Sequence, residues 1–209
     1  MGKIAKQALS NRMGRGEANR MRMMILFVLF TMTSYCSTLI DDPFMKTYGG
    51  SGPDRGVHII QASDGNFVIV GNTMTEDNKL DVYLIKCNSS GDTLWTRTFG
   101  SQEDDNGWCI KETSDKGYII AGFTESYNAS MNDVLLLKTD ANGKKQWHKT
   151  IGGSGDDIAW SIAINQDDGY TIAAQTNSFG NGELDAYVIR TDAFGDTLWT
   201  VSYTHLTLP

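Results

Sequence analysis

Three prolines, three cysteines and three histidines are all that 209 residues supply, and each scarcity excludes something. Without a Cys-x-x-Cys spacing or a companion for His58, His148 or His205, the signatures of zinc sites and of serine or cysteine nucleophiles are absent. Basic residues are scarce beyond the N-terminus. Residues 1–24 carry six Lys or Arg and one acid, so the rest of the chain holds 12 basic against 24 acidic groups. That body repels phosphate backbones, which excludes nucleic acid as a partner. Segments long enough for helices are also missing from it. What is abundant instead is glycine, 22 residues, with many Asp and Asn, a composition of tight turns between short strands.

The basic head is followed by an apolar run, MMILFVLFTM (Met23–Met32), and by the small and polar TSYCST. Basic, then apolar, then small is the order of a secretory signal, so residues 1–36 are read as a signal peptide or membrane-anchor region and 37–43 as a short linker. The 18 uncharged residues from Met23 to Ile40 keep a retained anchor open, being near the lower limit for a spanning helix. The protein is expected to be exported, to the cell envelope or the extracellular space, with membrane contact only through this segment. Cys36 is a candidate lipid anchor, because TSYC resembles the end of a bacterial lipoprotein signal. It departs from that pattern at Tyr35, where a small residue is usual, and at Thr33, where an aliphatic one is. Export permits a Cys87–Cys109 disulfide, and two buried free thiols are the alternative.

Trp95, Trp147 and Trp199 are spaced by 52 and 52 residues. The chain is therefore a tandem array, with units at 44–95, 96–147 and 148–199 and a one-residue shift in the first. Gly91, Gly143 and Gly195 align, as do Asp81, Asp133 and Asp185. Each unit holds four strand-like runs, in the third WSIAI, YTIAAQT, DAYVIRT and DTLWT. Gly65-Asn66, Lys116-Gly117 and Asp168-Gly169 are expected to make tight hairpin turns between the first two runs, and NSSG, DANG and DAFG to make type I turns between the last two. A four-stranded antiparallel meander with apolar residues on both faces needs neighbours on both sides. Radial stacking supplies them, so the expected fold is all-β, a β-propeller fragment of about three four-stranded antiparallel blades.

Asp140, Gly143 and Trp147, like Asp192, Gly195 and Trp199, resemble the tryptophan-docking motif of quinoprotein-type propellers; Asn88 replaces the acid in the unit of Gly91 and Trp95. The remainder of each unit, as in TIGGSGDDIAWSIAINQDDGYTIAAQT, is similar to the delta-60 and related seven-bladed propeller repeats of secreted bacterial proteins. The resemblance implies that the tryptophan packs between adjacent blades. Closed propellers need at least four blades, so the array is expected to continue beyond Thr200. The atypical tail at 200–209, ending VSYTHLTLP, is read as a truncation artefact whose coding sequence resembles the adapter of transposase-based sequencing libraries.

No catalytic or cofactor-binding residue can be assigned. The recurring acids Asp54, Asp105 and Asp157, and Asp81, Asp133 and Asp185, are expected to cap turns through backbone N–H groups, with calcium in these oxygen-rich loops as the alternative. Trp108 and Trp160 share the place of Val57 and are expected to pack between blades, sugar binding being the other reading. The segments 74–80, 125–132 and 177–184 vary most between units and are the candidate ligand surfaces. The expected function is an exported, non-catalytic scaffold presenting these loops to a protein or glycan. Two alternatives stay open: a fragment of a quinoprotein-like oxidoreductase, and an envelope-assembly lipoprotein propeller anchored by Cys36.

Overall fold

A computed structural model describes residues 45–180 and 183–203. Twelve strands account for the regular structure of these residues: β1 (Asp54–Gln61), β2 (Phe67–Met74), β3 (Leu80–Cys87), β4 (Thr93–Phe99), β5 (Asp105–Glu112), β6 (Tyr118–Thr124), β7 (Asp133–Thr139), β8 (Lys145–Ile151), β9 (Asp157–Ile164), β10 (Tyr170–Thr176), β11 (Asp185–Thr191) and β12 (Thr197–Tyr203). They form three antiparallel sheets, β1–β4, β5–β8 and β9–β12, each in simple sequential order. The fold is all-β, a β-propeller fragment of three four-stranded blades. Each docking tryptophan lies inside the last strand of its sheet, so the sheets end four residues beyond it, at Phe99, Ile151 and Tyr203. Tyr203 pairs with Ala186 as Phe99 does with Val82 and Ile151 with Val134, so residues 201–203 belong to the third sheet.

The hairpins share one device. In the β1–β2 loop, Gly65 N–H donates to the Ala62 carbonyl and Ala62 N–H to that of Asn66; equivalent bonds close the β5–β6 and β9–β10 loops and all three loops ending at Asp92, Lys144 and Asp196. This is a type I turn followed by one left-handed residue. That residue is Gly65, Lys116 or Asp168 between the first two strands, and Gly91, Gly143 or Gly195 between the last two. The tight hairpin turns expected at Gly65-Asn66, Lys116-Gly117 and Asp168-Gly169 are three-residue loops, in which only the first member of each pair has positive φ.

Side chains alternate between two cores, as the strand period of two dictates. Val68, Val70, Val82 and Leu84 of the first sheet meet Ile110, Tyr118, Ile120 and Leu137 of the second. From the opposite face of the second sheet, Ile119, Ala121, Val134 and Leu136 meet Ile162, Ile172, Tyr187 and Ile189 of the third. Only a sheet covered on both sides can carry runs such as YIIA and VLLL without alternation, which explains why the second unit is the most continuously apolar. Burying each of these aliphatic side chains contributes about 1.5–3 kcal/mol.

The tryptophans join one sheet to the next. The Trp95 ring sits over Gly143, where an added methyl would stand 2.8 Å from it, and Trp147 covers Gly195 at the same 2.8 Å. Gly143 and Gly195 are held at φ 73° and 80°, so glycine satisfies both the turn and the ring. Each ring also tilts against a tyrosine of the following sheet, Tyr118 or Tyr170, with centroids 6.2 Å apart. Beside these contacts run the ion pairs of buried Lys86 with Asp64 and buried Lys138 with Asp115, and the pair Arg190–Asp167.

Candidate functional site

The first strand of every sheet is bulged at one residue. Register slips between Gly56 and His58, between Gly107 and Cys109, and opposite Ala173 and Ala174, leaving Val57, Trp108 and Trp160 as the extra residues. A bulge re-aims its extra side chain away from the pleat. Trp160 is accordingly 52% exposed and Val57 37%. Trp108, half-buried, and Trp160 do pack between blades as expected, ring against ring across the boundary of the second and third sheets, though outside the two apolar cores. They meet each other edge to face at 4.3 Å, and Phe123 adds a second edge contact to Trp108 at 5.4 Å. The Trp160 indole N–H is oriented by the Gln175 Oε1 at 3.1 Å.

Trp108 and Phe123 also form one wall of a cleft of about 550 Å³. Its other lining includes Met74 and Leu80, at the two ends of the loop 74–80, and Glu125 and Asn132, which bound the loop 125–132. Two of the three variable loops thus converge on the cleft. The third, 177–184, includes two residues outside those described; its Asn177 and Ser178 accept backbone N–H bonds from Asp156 and Gly155. Arg55, Asn72, Asp104 and Asn106 complete the polar side of the cleft. Asn72 donates to Asn106, and Asp104 accepts from Leu80 N–H at 2.9 Å. Burial, then the Asp104 charge, raises the Glu125 carboxyl above its usual range. An aromatic wall facing amides, carboxylates and one guanidinium suits a ligand with an apolar face and many hydroxyls.

The recurring acids divide into two kinds. Asp54, Asp105 and Asp157 each accept the N–H of the residue four before them, Gly50, Ser101 and Gly153. Thr73 Oγ1 donates to Asp54 and Thr124 Oγ1 to Asp105. Asp81, Asp133 and Asp185 behave differently from the turn caps expected of them: one buried oxygen on each, as also on Asp157, has no hydrogen-bond partner among the described residues. Asp81 and Asp133 reach across the sheet boundary toward Asp105 and Asp157, over Gly100 and Gly152, where a methyl would lie 2.0 Å and 2.2 Å from their carboxylate oxygens. Among the described residues no group of three or more His, Cys, Asp or Glu side chains could hold a metal ion.

Burial and then the Asp157 charge push the Asp133 carboxyl up to about 6, and the same causes, with Asp105 as neighbour, raise Asp81. A carboxyl raised in the folded state binds a proton there first, so its stabilising contribution is full below the unfolded value near 4 and is lost as pH rises through about 6. Asp133 and Asp81 therefore favour the folded state more at pH 5 than at pH 7, against His58 and His148, whose imidazoles burial holds below their usual value. Asp133→Asn should raise stability at pH 7.5 by about 1 kcal/mol, discounted for partial exposure. Thermal melts across this window check it: on acidification the variant should gain less, or lose more, stability than the wild type. Below pH 4 the sign reverses, because the Lys86 hydrogen bond holds Asp64 at about 2.

Of the other residues singled out by sequence, Gly91 closes the first β3–β4 turn, and Trp199 is 49% exposed on β12. Cys87 and Cys109 are free and buried. His58 Nδ1 accepts Ile110 N–H of the next sheet, and His148 stacks on Tyr127 at 4.2 Å. Cys36 and His205 lie outside the described residues.

No family model matches the chain. Among curated proteins it is similar to the regulatory protein FlaEY of Caulobacter vibrioides, with 25% identity over 145 residues that cover 61% of this chain. The chain spans about 15% of the length of that relative.

Proposed function

We propose that the chain is a non-catalytic scaffold that binds glycans through the bulge-presented tryptophans and the adjoining cleft. The observation that carries this reading is Trp160, a large aromatic held half in solvent by a bulge that recurs in every sheet. Aromatic faces bind the apolar C–H faces of sugars while nearby amides and carboxylates take their hydroxyls. Asp54, Asp104 and Glu125 outnumber the single Arg55 around the cleft, so neutral or amino sugars fit it and uronates are repelled. Export to the envelope or beyond, which residues 1–36 favour, would place the scaffold among such glycans.

Isothermal titration against panels of neutral, amino and uronic oligosaccharides tests the proposal. Wild-type protein binds a neutral or amino oligosaccharide, and Trp160→Ala weakens that binding at least about tenfold, since loss of one aromatic stacking contact costs roughly 1.4 kcal/mol or more. Equal affinity in the variant, or a preference for uronates, sinks it.

A further inference from the structure

Two buried amides line the cleft at the boundary of the first and second sheets. Asn72 of β2 is 6% exposed and Asn106 of β5 is 4% exposed, and Asn72 Nδ2 donates to Asn106 Oδ1 between the sheets. That bond uses one donor and one acceptor, so Asn72 Oδ1 and Asn106 Nδ2 are left without a partner among the described residues. Both side chains line the cleft, and neither free atom is sealed away from it. Buried amide groups are normally all satisfied. The cleft floor thus carries one unmet donor beside one unmet acceptor.

The repeat itself does not require amides there. Asn72 precedes Thr73 as Phe123 precedes Thr124, and Asn106 follows Asp105 as Ile158 follows Asp157, with the same strand pairing in each sheet. The boundary of the second and third sheets therefore holds Phe123 and Ile158 in the places of Asn72 and Asn106. Apolar side chains cost less to bury than amides with unmet groups, so the Asn72–Asn106 pair belongs to the cleft and not to the fold.

Two of the acids around the cleft are tied to the chain: Asp54 accepts the Gly50 N–H and the Thr73 hydroxyl, and Asp104 accepts the Leu80 N–H. The buried groups with capacity to spare are neutral. A donor beside an acceptor matches a secondary amide, whose carbonyl accepts and whose N–H donates. An ammonium has no acceptor for Asn106 Nδ2, and a hydroxyl would leave the apolar wall of Trp108, Phe123, Met74 and Leu80 in water.

We propose that the cleft takes the acetamido group of an N-acetylated amino sugar. Its carbonyl accepts from Asn106 Nδ2, its N–H donates to Asn72 Oδ1, and its methyl lies against Trp108 and Phe123. Trp160, whose ring meets Trp108 at 4.3 Å, stacks on a neighbouring sugar of the same chain. The inference rests on the glycan reading and narrows it from neutral or amino sugars to acetylated ones.

Three trimers that differ only in the substituent at C2 test it by isothermal titration with the full chain at neutral pH: triacetylchitotriose, its deacetylated form and cellotriose. The acetylated trimer should bind at least about tenfold tighter than either of the others. Asn106→Leu places an aliphatic side chain where the third sheet carries Ile158, so it should stay folded by circular dichroism and bind all three trimers within about threefold of one another. Asn106→Asp keeps the acceptor for Asn72 and sets an oxygen in place of the free donor, so it should turn the preference toward the deacetylated trimer. Cellotriose or the deacetylated trimer binding wild type as tightly as the acetylated one overturns the inference and leaves the glycan reading standing. A preference for the acetylated trimer that survives in folded Asn106→Leu or Asn106→Asp protein overturns it too. So does tighter binding of Nε-acetyllysine, which carries the same amide and methyl without a sugar ring. If none of the three trimers binds, the inference falls, and the glycan reading falls with it only when the whole oligosaccharide panel also fails.

Discussion

Replacing Trp147 with alanine is expected to lower the unfolding free energy by about 3 kcal/mol, the usual cost of truncating a large aromatic at a packed site. Trp147 packs on the core shared by the second and third sheets, covers Gly195 and tilts against Tyr170. The same replacement at Trp199 should cost the monomer under about 1 kcal/mol, since that ring is 49% exposed and has no following sheet among the described residues. Urea titrations of the two variants at a concentration where the chain is monomeric read the difference. Equal losses would mean that the tryptophans stabilise their own sheets and not the boundary.

Asp105→Ala should cost a comparable amount, about 3 kcal/mol. The side chain is fully buried and accepts the Ser101 N–H at 3.0 Å, the Ser126 hydroxyl at 2.8 Å and the Thr124 hydroxyl. Removing it leaves the buried Thr124 hydroxyl without its acceptor, at about 1–3 kcal/mol, and frees the Ser101 N–H that holds the turn, while the Ser126 hydroxyl keeps the Glu103 carbonyl; relief of the repulsion with Asp81 offsets part of the loss. Asp105→Asn keeps one acceptor oxygen and loses the repulsion as well, so it should cost clearly less than the alanine variant in the same titration. If the two variants are equally stable, the carboxylate network does not hold the turn to β5.

The repeat length and the four strands per unit were legible in the sequence, because three tryptophans at equal spacing and turn residues at equal offsets leave one period. The boundary of the sheet was not, since the tryptophan that marks the repeat sits four residues inside its last strand. The loop length between the first two strands was not legible, because a type I turn followed by a left-handed residue needs only one position of positive φ, and Lys116 and Asp168 take it without glycine. The bulges carried a signal that went unused. In DIAWSIAI the core-facing residues are Ala159, Ile162 and Ile164, and the step of three between the first two breaks a period of two by one residue. That extra residue turns Trp160 away from the core. The acids at 81, 133 and 185 resembled ordinary turn caps because nothing in one unit announces a carboxylate arriving from its neighbour.

The indole region of a ¹H–¹⁵N correlation spectrum, titrated with a bound neutral or amino oligosaccharide, tests the central claim most directly. The chain has five tryptophans, and each contributes one Nε1–H signal. The Trp108 and Trp160 signals should shift together and saturably, with those of Trp95 and Trp147 unmoved between their sheets. Shifts confined to Trp95 and Trp147, or binding that leaves Trp108 and Trp160 in place, would contradict the account.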